Sequence, residues 1–353
     1  MSEEIEKNNV ALPEPGSLVL STSPHVQDGD SITKIMAKVL ICLLPAVAAS
    51  IWFFRFDAVR ILVYCGAFCI FAEYGWTLAT RQAPTVNDYS AVVTGVILAL
   101  NLPPGVPWWL CLVGSVFAIV IVKELFGGLG QNPFNPAAAA RVALLVGFAG
   151  PMTKWAAPAT GELISGATPL GAIHAAQAAQ NAAEAMAQLG CQDNLMKLFL
   201  GNVGGSIGET SALAILIGGL GLMAFRLIKW QIPLAMIGTI FVFTGIVHLA
   251  APGLTPGPLY HILSGGVMIG AFFMATDMVT SPITPLGALV FGIVIGLLTC
   301  VIRIWGAYPE GVSFSIVIAN ALVPLIDRMC YVRPFGWHSH SVSALNIRRG
   351  EIK

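Results

Sequence analysis

Residues 90–105 form an apolar run, SAVVTGVILALNLPPG, that is too short to cross a bilayer. A spanning helix needs about 20 apolar residues, whereas this run ends at Asn101 and a Pro-Pro-Gly turn. A second run of the same character is LSGGVMIGAFFMATDMVTSP at 263–282, which small residues open and polar residues close. Helices that stop part-way through a membrane leave free backbone groups that line a site. The two runs therefore predict a membrane-embedded fold with interrupted helices.

The composition of the whole chain indicates a polytopic membrane protein. Of its 353 residues, 56% are hydrophobic and only 10% are charged. A soluble globular protein carries about a quarter charged residues, so this deficit excludes a water-soluble enzyme and a disordered chain. The formal net charge is zero, which leaves no basic surface for a nucleic acid. The seven cysteines form no CxxC pair, so we expect neither a disulfide framework nor a metal site.

Outward from the two short runs, the hydropathy pattern predicts ten membrane segments in two halves. Each half has two full helices, a short helix, a full helix and a helix entered through a turn, which is NPFNPA (132–137) in the first half and PEGVSF (309–314) in the second. An odd number of spans per half forces the second half upside down. We therefore predict an all-α integral membrane fold of two inverted five-helix repeats, an arrangement typical of transporters and channels. The segments are roughly 35–54, 60–79, 89–101, 107–123, 135–149, 209–226, 231–250, 259–275, 284–303 and 312–328.

The distribution of basic residues sets the predicted orientation through the positive-inside rule. With the N-terminus in the cytoplasm, twelve Lys and Arg residues fall on the cytoplasmic side and five fall outside. The long segment between the halves has only Lys154 and Lys197, so we expect it to be external and both termini to be cytoplasmic. The predicted organisation is a cytoplasmic segment at 1–34, a first repeat at 35–149, an external loop at 150–208, a second repeat at 209–328 and a cytoplasmic tail at 329–353.

The external loop contains the sequence Ser-Gly-Ala-Thr-Pro at 165–169, just before an Ala-rich, helix-prone stretch at 171–190. Thr168 is suited to cap that helix, with a proline in its first turn. The N-terminus of a helix also presents free N–H groups that suit a phosphate. The residues alone favour the helix cap and leave the phosphate site open.

Six short motifs follow one another along the chain: Ser23-Pro24-His25, NPFNPA at 132–137, SGAT at 165–168, GNVGGSIGETS at 201–211, MATDMVTSP at 274–282 and EGVSFSIVIAN at 310–320. Together and in this order they resemble the D subunit of the Rnf ion-translocating ferredoxin:NAD oxidoreductase complex. They are also similar, more distantly, to the B subunit of the sodium-pumping NADH:quinone reductase. The resemblance covers nearly the whole chain and implies a urea-transporter-like fold.

The resemblance also implies two flavins. FMN would be joined through a phosphodiester to the hydroxyl of Thr168 by a flavin transferase that acts outside the cytoplasm. A noncovalent riboflavin would lie in the membrane part, toward the cytoplasmic face. The transferase signature has Asp six residues before the modified Thr, where this chain has Glu162. The residues expected in the vicinity of the FMN are Ser165, Gly166, Ala167 and Asn202.

Asn132, Asn135 and Arg141 are the candidate residues of the riboflavin site. Each Asn precedes a Pro, which removes a backbone donor and breaks the helix, and an Asn amide matches the donors and acceptors on the edge of an isoalloxazine ring. Two turn-forming Asn-Pro units are the alternative interpretation. Arg141 could pair with Glu73 or Asp277, or hold the negative charge of a flavin.

Ionisable residues within apolar segments are functional candidates. Glu73 and Asp277 are the candidates for ion movement or coupling, although Asp277 could equally cap the segment that follows. Lys123 and Glu124 are expected to be solvated at the membrane edge. The sequence has no phosphate loop and no dinucleotide fingerprint, so NAD and ferredoxin would react on partner subunits.

The resemblance implies an electron-relay subunit in a bacterial inner membrane. Electrons would pass between the external FMN and the buried riboflavin, and the complex would couple ferredoxin:NAD oxidoreduction to Na⁺ or H⁺ transport. The partners would be the other subunits of a six-subunit complex, which include a second covalent-FMN subunit and iron–sulfur subunits. A component of a quinone-reducing sodium pump and a passive solute channel or transporter of the same architecture remain as alternatives.

Overall fold

The computed structural model describes residues 30–81, 85–155, 168–177, 182–201, 203–306 and 310–331. Within these ranges all regular secondary structure is helical, which confirms the predicted all-α class. The helices before the connecting loop are α1 (Ile32–Phe54), α2 (Phe56–Thr80), α3 (Ser90–Leu100), α4 (Trp108–Val116) with a π-helical continuation at Phe117–Lys123, α5 (Pro136–Gly147) and the short α6 (Ala149–Met152).

The loop and the second half of the chain are equally helical. The loop contributes α7 (Pro169–Gln177), α8 (Ala182–Leu189) and α9 (Gln192–Leu200). The second half consists of α10 (Ala212–Ala224), α11 (Gln231–Ala250), α12 (Pro258–Leu263), α13 (Val267–Ile269) with a π-helical turn at Gly270–Met274, α14 (Pro285–Trp305) and α15 (Val312–Met329).

Five of the described helical stretches are long and apolar enough to cross a membrane. Large apolar side chains on their outer faces are exposed, for example Trp52 and Leu249, as expected of surfaces that contact lipid. Together these features indicate a multi-pass membrane protein. The five stretches are Ile32–Phe54, Trp108–Phe126, Gln231–Ala250, Pro285–Trp305 and Val312–Met329, and shorter apolar helices lie at Ser90–Leu100, Pro136–Gly147 and Ala212–Ala224.

Nine of the ten predicted segments coincide with a single helical stretch, but the segment at 259–275 does not. It is broken into α12, α13 and a π-helical turn. The break lies at Gly265, whose φ of +64° suits glycine. A side chain there would also meet the guanidinium of Arg303 and Leu170, each at 2.7 Å from the Cβ position. Glycine is therefore required both by the backbone conformation and by its neighbours.

The two halves pack in the same order of neighbours. In the first half α2 contacts α3 and α4, and in the second α11 contacts α12 and α14. Between the halves, α1 packs on α10 and α5 packs on α15. The α1–α10 approach is close, because a Cβ at Gly218 of α10 would lie 2.2 Å from the carbonyl oxygen of Cys42. A backbone atom cannot move aside as a flexible side chain can, so this contact demands glycine.

Polar caps fix where the helices begin around the interior. Asn135 accepts a hydrogen bond from the N–H of Ala138 at the start of α5, and Ser211 accepts one from Ala214 at the start of α10. Such side chains satisfy N–H groups that have no partner in the first helical turn. Pro136 follows Asn135 in the first turn of α5, where its missing N–H has no cost.

Candidate functional site

A cavity of about 860 Å³, partly open to the outside, lies between the two halves. Its walls are mostly apolar with a few polar groups, as is usual for small-molecule sites. We call it the central cavity. Its apolar walls include Val39, Ile97, Leu222, Phe272 and Phe273, and its polar lining consists of Ser90, Thr94, Lys123, Asn132, Asn135, Thr276 and Asp277.

The polar lining comes from the ends of interrupted helices. Ser90 begins α3, Asn135 caps α5, Lys123 ends the π-helical continuation of α4, and Asp277 follows the π-helical turn after α13. Four helix ends from both halves thus meet at one cavity. This is the arrangement expected where broken helices bind a ligand inside a membrane.

Asn135 joins the two halves across the cavity wall. While its side-chain oxygen caps α5, its amide nitrogen donates to the carbonyl oxygen of Met274 at 3.0 Å. Asn132 donates to the carbonyl oxygen of Phe134 at 3.0 Å, which is a local turn contact. The structure thus gives both asparagines the turn and cap contacts of the alternative interpretation. It also brings both to the cavity, where a ligand could meet them.

Asp277 also lines the central cavity, where its side chain contacts Asn132 and the turn that follows it. Its carboxylate accepts from the N–H of Val279 at 3.4 Å and from the hydroxyl of Thr280 at 3.2 Å. These contacts stabilise the turn that leads toward α14. Asp277 therefore stabilises a loop through its contacts and also presents a carboxylate to the central cavity.

Lys123 is the one cation among the described residues that line the central cavity. We expected Lys123 and Glu124 to be solvated, and this was wrong, because their side chains are only 3% and 5% exposed. The ammonium lies 3.1 Å from a carboxylate oxygen of Glu73, 2.6 Å from the hydroxyl of Ser90 and 3.5 Å from Glu124. A lysine at the end of an apolar helix usually extends to water. Here α2 and α3 cover it and supply acceptors instead.

Glu73 is completely buried behind Lys123 and does not line the cavity. Besides the lysine, its carboxylate accepts from the hydroxyl of Thr85 at 2.5 Å. The expected pairing of Arg141 with Glu73 or Asp277 was therefore wrong, since Glu73 pairs with Lys123. The sequence could not have revealed this pair, because 50 residues separate its members.

Arg141 lies away from the central cavity and pairs with Glu310 at the start of α15. It follows Asn135 by six residues, which is about 9 Å along a helix. That distance moves its guanidinium from the cavity toward the other end of the molecule. Of the predicted riboflavin residues, the structure thus brings Asn132 and Asn135 together and separates Arg141 from them.

A second, smaller cavity of about 290 Å³ contains Thr168, and we call it the Thr168 pocket. Thr168 is buried, and its hydroxyl accepts from the N–H of Gly171 at 3.0 Å at the start of α7. This is the helix cap that the residues alone favoured. The predicted neighbours Ser165, Gly166, Ala167 and Asn202 lie outside the described residues. The other residues that line the pocket are Pro169, Leu170, Leu198, Val203, Gly204, Gly205, Glu209, Gly265 and Glu310.

The Thr168 pocket has a charge pattern that sequence analysis missed. Glu209 and Glu310 line it, and the buried Arg141 lies behind Glu310 as its ion-pair partner. Arg303 donates to the carbonyl oxygens of His261 at 2.7 Å and Ser264 at 3.1 Å beneath the same pocket. Glu209 and Glu310 both occur in the quoted motifs, but nothing in those motifs indicates that they meet.

The two cavities lie at opposite ends of α10. Glu209 precedes the first residue of α10 and lines the Thr168 pocket, whereas Leu222 near the other end lines the central cavity. The stretch of α10 from Ala212 to Leu222 corresponds to about 15 Å of helix. The two sites are therefore separate, and most of a membrane half-thickness lies between them.

Comparison with known proteins gives matches over nearly the whole chain. The model of the NQR2, RnfD, RnfE family matches residues 19–336. The chain is 43% identical over 322 residues to the D subunit of the Na(+)-translocating ferredoxin:NAD(+) oxidoreductase complex of Acetobacterium woodii, covering 91% of this chain and 96% of that protein. It is 42% identical to the D subunit of the ion-translocating oxidoreductase complex of Stutzerimonas stutzeri, over 87% of this chain and 92% of the relative. It is 40% identical to the D subunit of the proton-translocating ferredoxin:NAD(+) oxidoreductase complex of Clostridium ljungdahlii, over 90% and 96%.

Proposed function

Since the chain belongs to the NQR2, RnfD, RnfE family, we propose that it relays electrons between two flavins inside an ion-translocating oxidoreductase complex. It is a subunit of a redox-driven translocase, as its relatives are named. FMN would be bound covalently at Thr168, and riboflavin would be bound noncovalently in the central cavity. The flavins supply the electron chemistry, and the protein supplies their binding and orientation.

The central cavity is the observation that carries this proposal. Its apolar walls at Phe272 and Phe273 suit a flat aromatic ring. Asn132 lines the cavity with an amide that contacts the Phe134 carbonyl oxygen and the Asp277 side chain, and an amide of this kind can exchange such contacts for the donors and acceptors of a ring edge. The hydroxyls of Ser90, Thr94 and Thr276 suit a polyhydroxyl chain.

The described residues around Thr168 fit a phosphate-bearing group. The hydroxyl already faces the N-terminus of a nine-residue helix, where a phosphate is stabilised by free N–H groups and by the helix dipole. Gly204 and Gly205 let the backbone approach closely. Glu209 and Glu310 line the pocket and oppose an anion there. The ion pair with Arg141 offsets the charge of Glu310, so a phosphate on Thr168 would lie at the mouth of the pocket.

The separation of the two cavities supports a relay across the membrane. With Thr168 external and the central cavity nearer the cytoplasm, electrons would cross between the ends of α10. The chain would lie in the bacterial inner membrane with both termini cytoplasmic, in the orientation that its basic residues predict. The matching order of helix neighbours in the two halves supports two inverted five-helix repeats with a urea-transporter-like fold.

The relatives' names bear on the partners and the coupling ion. One relative is named as Na(+)-translocating and another as proton-translocating, so this chain would serve a complex that moves one of these ions. The proposed partners are the other subunits of a six-subunit Rnf-type complex, including a second covalent-FMN subunit and iron–sulfur subunits. A flavin transferase would attach the FMN.

The test of the covalent site is flavin fluorescence of the denatured chain on a gel. The chain is co-expressed with an active flavin transferase as wild type, as Thr168→Val and as Thr210→Val. Thr210 is a matched control, because its hydroxyl is also buried and only bonds the carbonyl oxygen of Ile207. We expect fluorescence in the wild type and in T210V and none in T168V. A dark wild-type band, with the transferase active on another target, would leave Thr168 as a helix cap and favour a solute channel.

The test of the central cavity is the riboflavin content of the natively purified T168V chain, in which only noncovalent flavin can remain. We expect acid extraction to release riboflavin in a molar ratio near one. Adding Thr94→Trp should lower that ratio severalfold, because the ring would occupy part of the cavity. Leu125→Trp is the control, since Leu125 is 63% exposed on the outer surface. Equal riboflavin in both tryptophan variants would exclude the central cavity as the site.

A further inference from the structure

Lys123 is held rigidly at the wall of the central cavity. Its ammonium donates to a carboxylate oxygen of Glu73 and to the hydroxyl of Ser90, and the Glu124 carboxylate lies 3.5 Å away as a second ion-pair partner. Ser90 is in turn fixed by Asp88, whose carboxylate oxygen accepts from the Ser90 hydroxyl at 2.6 Å and from its N–H at 2.8 Å. The cation therefore stands in place before any ligand carries charge, which is the condition for electrostatic preorganisation.

The order of charges along this wall is the informative feature. Lys123 lines the cavity, whereas Glu73 and Glu124 lie behind it and do not. Coulomb energies fall with distance, so a ligand in the cavity experiences the cation more strongly than either carboxylate. Asp277, which also lines the cavity, acts in the other direction. Arg141 contributes little, because it pairs with Glu310 away from the cavity.

We propose that Lys123 sets the redox potential of the riboflavin in the central cavity by stabilising the negative charge of its reduced form. Uptake of two electrons and one proton leaves a flavin with one negative charge. The electrons would come one at a time from reduced FMN on Thr168, which would release its proton to water on its own side, and the proton taken up in the cavity would come from water there. Lys123 thus binds reduced riboflavin more tightly than oxidised riboflavin and draws electrons toward the cavity. This inference rests on the proposed function.

The test is a spectroelectrochemical titration of riboflavin in the purified T168V chain, which removes the signal of the covalent flavin. Lys123→Gln should weaken binding of the reduced form relative to the oxidised form about tenfold, which lowers a two-electron potential by about 30 mV. Glu73→Gln should raise the potential, because it removes a negative charge and leaves Lys123 unopposed. Lys123→Arg should stay near the parent value, since it keeps the charge.

Lys38→Gln is the matched control for this titration. Lys38 carries the same charge, but its pair with Asp30 is exposed and it does not line the cavity. We expect it to leave the potential unchanged. Because K123Q leaves Glu73 buried without its cation, that variant could fail to fold. The double variant K123Q/E73Q keeps a neutral hydrogen-bonded pair, and its potential should lie below that of E73Q alone.

The outcomes separate this inference from the function on which it rests. Opposite shifts in K123Q and E73Q, or the fall from E73Q to the double variant, would support Lys123. A riboflavin-loaded protein whose potential does not move in K123Q or the double variant would overturn it. So would equal shifts in the same direction in both single variants, since these would indicate a purely structural ion pair. A T168V chain without riboflavin would overturn the cavity assignment together with the inference.

Discussion

The central cavity and the Thr168 pocket are each backed by a buried ion pair, but the two pairs face their cavities with opposite charges. In the central cavity the cation Lys123 lines the wall, and its partner Glu73 lies behind. In the Thr168 pocket the carboxylates of Glu209 and Glu310 line the wall, and the cation Arg141 lies behind. Of these two ion pairs, the one at the central cavity would stabilise a group that gains negative charge, and the one at Thr168 would oppose it. In the proposed relay this difference would favour electron movement from the Thr168 end to the central cavity, against the opposing charge of Asp277.

The largest expected effect comes from removing the cation of each pair. Lys123→Met leaves the fully buried Glu73 without its cation, with only the hydroxyl of Thr85 as a partner, and breaking such a pair costs about 3–5 kcal/mol. Arg141→Met leaves Glu310, whose side chain is 12% exposed and faces an open pocket, so we expect a smaller loss of stability. Thermal unfolding of the two variants in detergent measures the difference. Equal losses would mean that the pocket gives Glu310 no access to water, and the contrast between the two pairs would fail.

The next effect concerns the helix contact that runs between the two cavities. Gly218→Ala would place a Cβ 2.2 Å from the carbonyl oxygen of Cys42, and overpacking of this kind typically costs about 1–3 kcal/mol. Gly238→Ala in α11 is the matched control, because nothing lies within 4 Å of its Cβ position. We expect the control to be neutral or slightly stabilising, as alanine favours helix more than glycine does. An unchanged unfolding temperature for G218A would show that α1 and α10 can separate without cost.

The caps at the two sites should also differ in strength. Asn135→Ala removes the cap of α5 and the bond to the Met274 carbonyl oxygen, so we expect a loss of about 2 kcal/mol for one cap and one buried hydrogen bond. Thr168→Ala removes only the cap of α7, for which about 1 kcal/mol is typical. Thr168→Ser and Asn135→Asp keep a capping oxygen and serve as controls. Urea unfolding of the four variants measures the order, and a larger loss for T168A than for N135A would reverse it.

The smallest effect is expected for a charge pair that lines neither cavity. Lys38 and Asp30 form an exposed ion pair with a distance of 2.9 Å, and such pairs contribute about 0–1 kcal/mol. Lys38→Met should therefore change the unfolding temperature little, and added salt should remove the remaining difference. A loss comparable to that of K123M would show that burial is not what distinguishes the pairs at the cavities.

Several elements of the fold were predictable because they depend on local sequence. The low charge and the apolar runs predicted a helical membrane protein, and the family motifs predicted the relationship that comparison confirmed. The Asn-Pro pairs predicted the start of α5, since Asn135 caps it and Pro136 follows. Thr168 likewise caps α7, as its position before a proline and an alanine-rich stretch indicated. These features rest on periodicity, capping and composition, which nearby residues determine.

The pairing of buried charges was not predictable from the sequence. We expected Lys123 to be solvated at the membrane edge and Arg141 to lie at the riboflavin site. Instead Lys123 is buried at the wall of the central cavity, and Arg141 is buried away from that cavity. Lys123 meets Glu73 from 50 residues away, and Arg141 meets Glu310 from 169 residues away. A helical sequence indicates which residues share a face but not which distant helix covers that face. The small residues at 264–266 predicted an interrupted run, but the division of the segment at 259–275 into α12 and α13 was not predicted.

The sequence by itself determined that this chain is an all-helical membrane protein of its family. It also determined the two interrupted apolar runs and the threonine that caps α7. Those properties follow from the cost of burying polar backbone in lipid and from hydrogen bonds within a few residues. Only the tertiary structure decided which charge faces each cavity. A buried charge pairs with whichever group the packing of distant helices brings within reach. An unpaired buried charge would carry a large desolvation cost.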